Sequence, residues 1–555
     1  MNIKRVLAQR IVKVLSEDEE DIYRMIETPK NKGDFAFPCF RFSKKYGMPP
    51  AEIARRLAEN LIEDNLEFIK EIEVIQAYVN FFIKTASLAD IVLERDLTER
   101  EPNGKTVVID FSSPNIAKYF HVGHLRSTVI GASLRNIYKH LGYKTIGINH
   151  LGDWGTQFGK LIVALEMFSS IEEIEREGVD KLMEIYKKFT EAASKDESLN
   201  DKARSYTVKL ENNDEETLKL WSYFKEISLK EFNKVYERLG IEFDYVLGES
   251  FYIDKIPAAI KELEDKNILE ESEGAKIVNL EEEQLPPCLI IRKDGGTLYH
   301  TRDLAAILYR KNEYNFDKII YVTAVEQITH FSQLFAVVEK LGYDFEMVHA
   351  AFGLVFLTGG KISTRGGNLI LMEDLIDRAV SRVSEIIEEK NPSLENKEEV
   401  AEQVGIGAII FNDLFNGKIK DVLFSFENVL NFEGETGPLV QYTHARACSI
   451  LRKADVEISK VNGGIDENCE YTHKLLYALY TFEYKLEDVI SRDEPYILTR
   501  HLIEIADCFN KFYHNVPILS SEGEVKNTRL AVVSQTKETI KKGLALLGIK
   551  APEKM

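Results

Sequence analysis

At 555 residues the chain is too long for one hydrophobic core, so three or four domains are expected. A composition of 44% apolar and 29% charged residues is that of an ordinary soluble globular protein, and no apolar run is long enough to span a membrane. The net charge of −20 excludes capture of a polyanion by bulk charge, so any nucleic-acid partner must be held by local basic patches.

Lys4 and Arg5 open the chain, but Gln9, Arg10 and Lys13 interrupt a signal-like apolar core. The acidic run from Glu17 to Asp21 argues against a transit peptide. Cys39, Cys288, Cys448, Cys469 and Cys508 are scattered, and no two stand at metal-ligand spacing. That predicts free thiols, no structural zinc and a reducing cytoplasm.

Residues 1–95 read as a small α/β domain. Val6, Ile11, Val12 and Leu15 predict a first amphipathic helix, and Gly33-Asp34-Phe35-Ala36-Phe37 a turn entering a regular element. Pro49-Pro50 opens a helix over 51–61 with Ile53, Leu57 and Leu61 on one face. Residues 72–75 and 78–83 read as strands. No residue here suggests catalysis.

Residues 105–150 read as strand, loop, helix and strand. The β-branched run 105–111 is a buried strand, broken by Ser112-Ser113-Pro114-Asn115. Leu125, Val129, Leu134, Ile137 and Leu141 fall at helical spacing, and Gly142 ends the helix. Residues 144–150 give the second strand, completing a right-handed crossover of a doubly wound nucleotide fold. His121 and His124 bracket the first turn of the helix, where free N–H groups and the dipole attract phosphate. Gly123 removes a side chain that would keep a flat purine from the backbone.

Residues 160–285 are mostly charged helix, with acidic clusters at Glu172-Glu173 and Asp214-Glu215-Glu216. Trp221, Phe224, Ile227, Phe232 and Tyr236 form a stripe that reads as packing. Residues 289–292, 318–322 and 348–352 return to strand pattern, the second half of the nucleotide fold. Gly359-Gly360-Lys361-Ile362-Ser363-Thr364-Arg365-Gly366-Gly367-Asn368 is a cationic, glycine-bounded loop suited to covering a polyphosphate. Leu375, Ala379, Val383 and Ile386 begin a helical stem over 373–430, and Pro392 marks a loop. Residues 431–555 are helical throughout. They carry 16 Lys and Arg against 18 Asp and Glu, so nearly all the excess negative charge lies upstream.

Residues 121–124 and 359–368 together resemble the paired HIGH and KMSKS signatures of class I aminoacyl-tRNA synthetases. Longer stretches resemble the arginyl-tRNA synthetase family in particular. They are Phe111-Ser112-Ser113-Pro114-Asn115-Ile116-Ala117-Lys118, then His121-Val122-Gly123-His124-Leu125-Arg126-Ser127, then Asn149-His150-Leu151-Gly152-Asp153-Trp154-Gly155-Thr156-Gln157-Phe158-Gly159. The likeness continues at Leu298-Tyr299-His300-Thr301-Arg302-Asp303, Glu326-Gln327, Gln441-Tyr442-Thr443-His444-Ala445-Arg446 and Ala551-Pro552-Glu553-Lys554-Met555, and so covers essentially the whole chain.

The resemblance implies an α/β multidomain protein. Its catalytic domain at 100–372 would be a Rossmann-like, doubly wound parallel sheet carrying a helical connective insertion at about 160–285. A small N-terminal α/β domain at 1–95 would touch tRNA, followed after the catalytic domain by a helical stem at 373–430 and an all-helical anticodon-binding domain at 431–555. The implied reaction joins L-arginine to arginine tRNA, using ATP with Mg²⁺, no zinc and no membrane, in a cytoplasmic monomer. His121 and His124 would stabilise phosphate and Gly123 admit adenine, while Lys361, Ser363 and Arg365 belong to the mobile loop. Asp303, with Tyr299 one helical turn before it, would pair with the guanidinium, since a planar fork of donors wants a carboxylate. Asp110, Ser112, Asn115 and Gln327 would complete that pocket, and Tyr442, His444, Arg446 and Met555 would meet tRNA.

Thr364 stands where the second lysine of KMSKS is usual, leaving Lys118 and Arg365 as candidates to meet pyrophosphate. Two other readings remain. One is another class I synthetase or a nucleotidyltransferase, but the cysteinyl enzyme would want zinc ligands and a bare nucleotidyltransferase would lack the helical C-terminal domain. A non-catalytic tRNA-binding paralogue would not need His121, His124, Asn115 and Asp303 together.

Overall fold

The computed structural model describes residues 1–29, 32–357, 360–361, 370–454 and 464–555. Its centre is a five-stranded sheet in the order Glu346–His349, Lys318–Tyr321, Thr106–Asp110, Lys144–Asn149, Tyr245–Val246. Every neighbouring pair is parallel. Val107, Val108, Ile109, Ile319 and Ile320 are buried, the continuous apolar signature of strands covered on both faces. The chain starts at the central strand, moves out to one edge, then returns beside its start and moves out the other way. Thr106–Asp110 and Lys318–Tyr321 are therefore neighbours at the reversal, with Asp110 opposite Tyr321. Loops leave these two strand ends in opposite directions and open a crevice.

The predicted helix runs from Leu125–His140, entered through a 3-10 turn at Val122–His124. Five helices, from Thr156–Phe168 to Glu215–Leu239, leave the sheet after Lys144–Asn149. The chain rejoins the sheet at Tyr245–Val246, inside the interval expected to be wholly insertion. Cys288–Ile291 also departs from expectation. It pairs antiparallel with Ala275–Val278, which pairs with Glu270–Ser272, and takes no part in the parallel sheet. Positive φ at Glu273 (50°) and Gly274 (81°) folds this hairpin back on itself locally.

In the N-terminal domain Tyr78–Ile83 lies antiparallel between Phe35–Pro38 and Ile69–Ile75. Helix Ile3–Leu15 buries Ile3, Leu7, Ala8, Ile11 and Leu15, so Val6 and Val12 flank the buried face rather than centre it. After the parallel sheet come the helices Met372–Lys390 and Lys397–Leu414 of the expected stem. Val422–Phe424 then pairs parallel with Val355–Leu357, tying the stretch before the glycine-bounded loop to the stem. Four helices follow, Gly437–Ala454, Glu470–Arg492, Tyr496–Asn515 and Gly523–Leu546. Among the described residues no helix is long and apolar enough to cross a membrane.

Candidate active site

The turn after Thr106–Asp110 is strained. Ser112, Ser113 and Ala117 have φ of 71°, 49° and 55°, a region that side chains rarely adopt. Neighbours hold them there. Ser112 N–H donates to Ser127 Oγ (2.8 Å), Ser113 N–H to Asn149 Oδ1 (3.2 Å) and Ala117 N–H to Ser228 Oγ (2.8 Å). The Ser112 hydroxyl shares hydrogen bonds with Tyr236 Oη (2.7 Å) and Thr128 Oγ1 (2.8 Å). Ser228 and Tyr236 both come from helix Glu215–Leu239, so the helical block braces this loop. Asn115 then crosses to Gly152, where a Cβ would stand 1.9 Å from Asn115 Oδ1, so a larger residue would displace it.

The two histidines that follow are organised by the backbone. Gly123 N–H donates to His121 Nδ1 (3.0 Å), and His121 N–H donates to His124 Nδ1 (3.2 Å). The rings lie 4.0 Å apart. Burial, helped by the Lys118 charge, lowers the His121 pKa to about 4. Burial, helped by the neighbouring His121, lowers that of His124 to about 3. Both rings are therefore neutral near pH 7 and carry their proton on Nε2. Gly123 also has a closer duty than admitting a purine, since a Cβ there would meet His121 Cε1 at 2.7 Å.

A cavity of about 600 Å³ opens at the strand reversal. Its walls gather Asp110, Ser112, Asn115, Gly123, His124, Tyr299, Asp303 and Gln327 from stretches far apart in sequence. His121 and Lys118 line an adjoining cavity that shares Asn115 and His124 with the first. Tyr299, 66% exposed, starts helix Tyr299–Tyr314 at the cavity wall. One turn on, Asp303 accepts a hydrogen bond from His330 Nε2 (2.6 Å). Burial alone would push the Asp303 carboxyl up. The His330 hydrogen bond, aided by charge on His330, His150 and Arg310, outweighs it and holds the group below its ordinary value. Asp110 is already engaged. It is buried, and its Oδ2 lies 2.8 Å from Arg310 Nη1.

Lys361 lies in the short strand Gly360–Lys361, paired with Phe356. Ser363, Thr364 and Arg365 lie outside the described residues.

The expected tRNA-contacting set divides. Tyr442 is exposed, with the Arg446 guanidinium 4.8 Å from its ring centroid, and both line a cavity with Met555. His444 is 1% exposed, and its Nδ1–H donates to the Pro552 carbonyl (2.9 Å). It fastens the C-terminal segment.

Sequence reasoning did not single out Tyr236 as a hydrogen-bonding residue, nor Arg310, His330 or the pair Arg302–Glu249 (2.8 Å). Arg310 had one available signal, a charge two helical turns after Asp303 and following the apolar run 304–308. Among the described residues no group of three or more His, Cys, Asp or Glu side chains could hold a metal ion.

Three family models match the chain. Residues 87–426 match class I tRNA synthetases (R), catalytic domain, residues 440–555 the DALR anticodon binding domain, and residues 1–83 the arginyl tRNA synthetase N terminal domain. The arginine–tRNA ligase of Alkaliphilus metalliredigens is 48% identical over 549 residues, covering 97% of this chain and 96% of the relative. That of Clostridioides difficile is 47% identical over 557 residues, covering 98% of each. The arginyl-tRNA synthetase structure from Plasmodium falciparum superposes with a TM-score of 0.86 at 26% identity, covering 100% of this chain and 98% of that one. The Thermus thermophilus structure shares the fold with a TM-score of 0.85 at 24% identity, covering 100% of both chains. With its catalytic core, N-terminal domain and anticodon-binding domain all matched, the chain belongs to the arginyl-tRNA synthetase family of class I aminoacyl-tRNA synthetases.

Proposed function

We propose that this chain esterifies L-arginine to arginine tRNA in two steps, both carried by the cavity at the strand reversal. In the first, the arginine carboxylate attacks the α-phosphate of ATP in line, forming arginyl-adenylate and releasing pyrophosphate. In the second, a hydroxyl of the tRNA 3′ end attacks the adenylate carbonyl and AMP departs. The protein's task is mainly to position reactants and neutralise developing charge. One observation carries the reading. A single cavity collects the strained serine loop, the histidine turn, Asp303 and Gln327 at the C-terminal ends of the central strands.

In this reading Asp303 receives the substrate guanidinium beneath Tyr299, and Asn115 and Gln327 face the amino-acid end. Nε2–H groups of His121 and His124 donate to the phosphate as negative charge builds, and Lys118, which lines the adjoining cavity, meets pyrophosphate. Tyr442, Arg446 and Met555 contribute to the tRNA surface. Mg²⁺ would travel with the ATP phosphates. No step is assigned to it.

The test is to charge total tRNA with each standard amino acid in turn. Arginine esterified alone is the expected outcome. No charging with any amino acid would favour a non-catalytic tRNA-binding protein.

A further inference from the structure

Arg310 has no part in the reaction as set out, yet its side chain is only 1% exposed. Every edge of the guanidinium is used. It donates from Nη1 to Asp110 Oδ2 (2.8 Å), from Nη2 to His150 Nδ1 (3.0 Å) and from Nε to Tyr252 Oη (3.2 Å). The rings of Tyr252 and Tyr321 flank it at 5.4 and 5.8 Å. The other Asp110 oxygen accepts the Ser113 hydroxyl (2.9 Å). Across the cavity Arg302 and Glu249 form a second pair at 2.8 Å. Each pair cancels its own charge. Asp303, hydrogen-bonded to His330, is the one carboxylate of the wall with no Lys or Arg partner among the described residues.

We propose that Arg310 is a specificity-determining positioning residue, which by neutralising Asp110 leaves Asp303 as the single carboxylate of the wall without a Lys or Arg partner among the described residues, to receive one substrate guanidinium. The proposal rests on the arginine reading above. A second free carboxylate in this enclosure would take up a proton or demand a second cation, and a cavity with none would leave the guanidinium's desolvation uncompensated. Asp110 then acts through Arg310, whereas a direct substrate ligand would act by contact.

Arginine KM in tRNA charging separates the two, measured at about pH 8, above the ordinary histidine range. Asp110→Asn strands the Arg310 charge beside the substrate and should raise KM by at least about tenfold. The double variant Arg310→Met/Asp110→Asn restores the charge count and should bring KM back to within about threefold of the parent. A double variant as poor as Asp110→Asn would make Asp110 a direct ligand and overturn the proposal, as would a parent-like Asp110→Asn. Citrulline, the uncharged isostere of arginine, supplies the control as an inhibitor. Asp110→Asn should leave its inhibition constant within about threefold, because the charge term is absent. Equal weakening of arginine and citrulline would mean simple loss of shape and would also overturn it. This comparison needs only the single variant, so the outcome does not depend on how the double variant folds. A parent enzyme that charges no arginine would instead refute the functional reading beneath it.

Discussion

At His121 and His124 the protein places two imidazoles against a helix start and lets backbone N–H groups settle their tautomers. Both rings line the cavities, and in the proposed reaction the remaining Nε2–H donors would bind more strongly as charge develops on a phosphate. His124→Ala should therefore slow activation in the presence of tRNA by roughly 10²–10³-fold, with little change in ATP KM. A raised ATP KM at unchanged kcat would make the ring a ground-state contact instead. The same burial has a consequence for stability. The two folded-state values, about 4 and about 3, lie below the ordinary 6.5. Above 6.5 neither state binds these protons and stability is unaffected. As pH falls through that value the unfolded chain binds them first, and the native state loses ground until pH passes about 4 and then about 3. A His121→Gln/His124→Gln variant lacks this loss. Its urea midpoint relative to the parent should improve between about pH 7.5 and about pH 5. A difference that stays constant across that interval would contradict the depressed values.

Among the elements, helix Glu215–Leu239 is the clearest case of a packing stripe with a second duty. Phe224 and Phe232 are buried as periodicity predicts, but Tyr236 also carries a hydroxyl to Ser112 and Asn149. Tyr236→Phe keeps the ring and leaves buried partners unpaired. It should cost about 1–3 kcal/mol in urea unfolding. It should also lower kcat/KM for arginine, because Ser112 and Ser113 sit at positive φ that this contact helps to hold. A Phe variant equal to the parent in both measurements would show that Thr128 alone suffices. Periodicity made much of the fold legible. The strand at 78–83 is read to the residue, and the helix expected over 51–61 lies inside Pro50–Glu63. Period alone did not reveal partners. Cys288–Ile291 has the pattern of a sheet strand, yet a local hairpin captures it. Of the candidate site, the residues of unusual type that line the cavities, His121, His124 and Asp303, could be picked out in the sequence. Arg310 and Tyr236 sit among apolar neighbours and read as scaffold, because what distinguishes them is a tertiary contact with residues 200 and 124 positions away.

Across the whole molecule, the catalytic sheet and the C-terminal helices meet at one buried acid. Asp493 caps helix Glu470–Arg492 with φ 51° and is 4% exposed. It accepts from Tyr138 Oη (2.7 Å) on helix Leu125–His140 and from Lys318 Nζ (2.9 Å) at the start of a central strand. Lys418 closes the corner, donating to the Arg492 and Asp493 carbonyls (3.0 and 3.1 Å). Its own carbonyl receives the Gly353 N–H (2.8 Å), just before the strand that leads into the glycine-bounded loop. Removing one partner of a buried ion pair strands the other charge, which typically costs about 3–5 kcal/mol. Lys318 keeps Glu346 at 2.8 Å, so Asp493→Ala should fall near the low end, about 3 kcal/mol, read from the urea midpoint. Asp493→Asn retains an acceptor for Tyr138 and should cost less. Lys318 begins its strand, at the end of the sheet opposite the cavity, so arginine KM should not change in either variant. An Asp493→Ala protein as stable as the parent would mean that Lys318 and Tyr138 find new partners. A stable protein with a shifted arginine KM would mean that this corner reaches the cavity through the sheet, and Lys318→Met would then be the variant to compare.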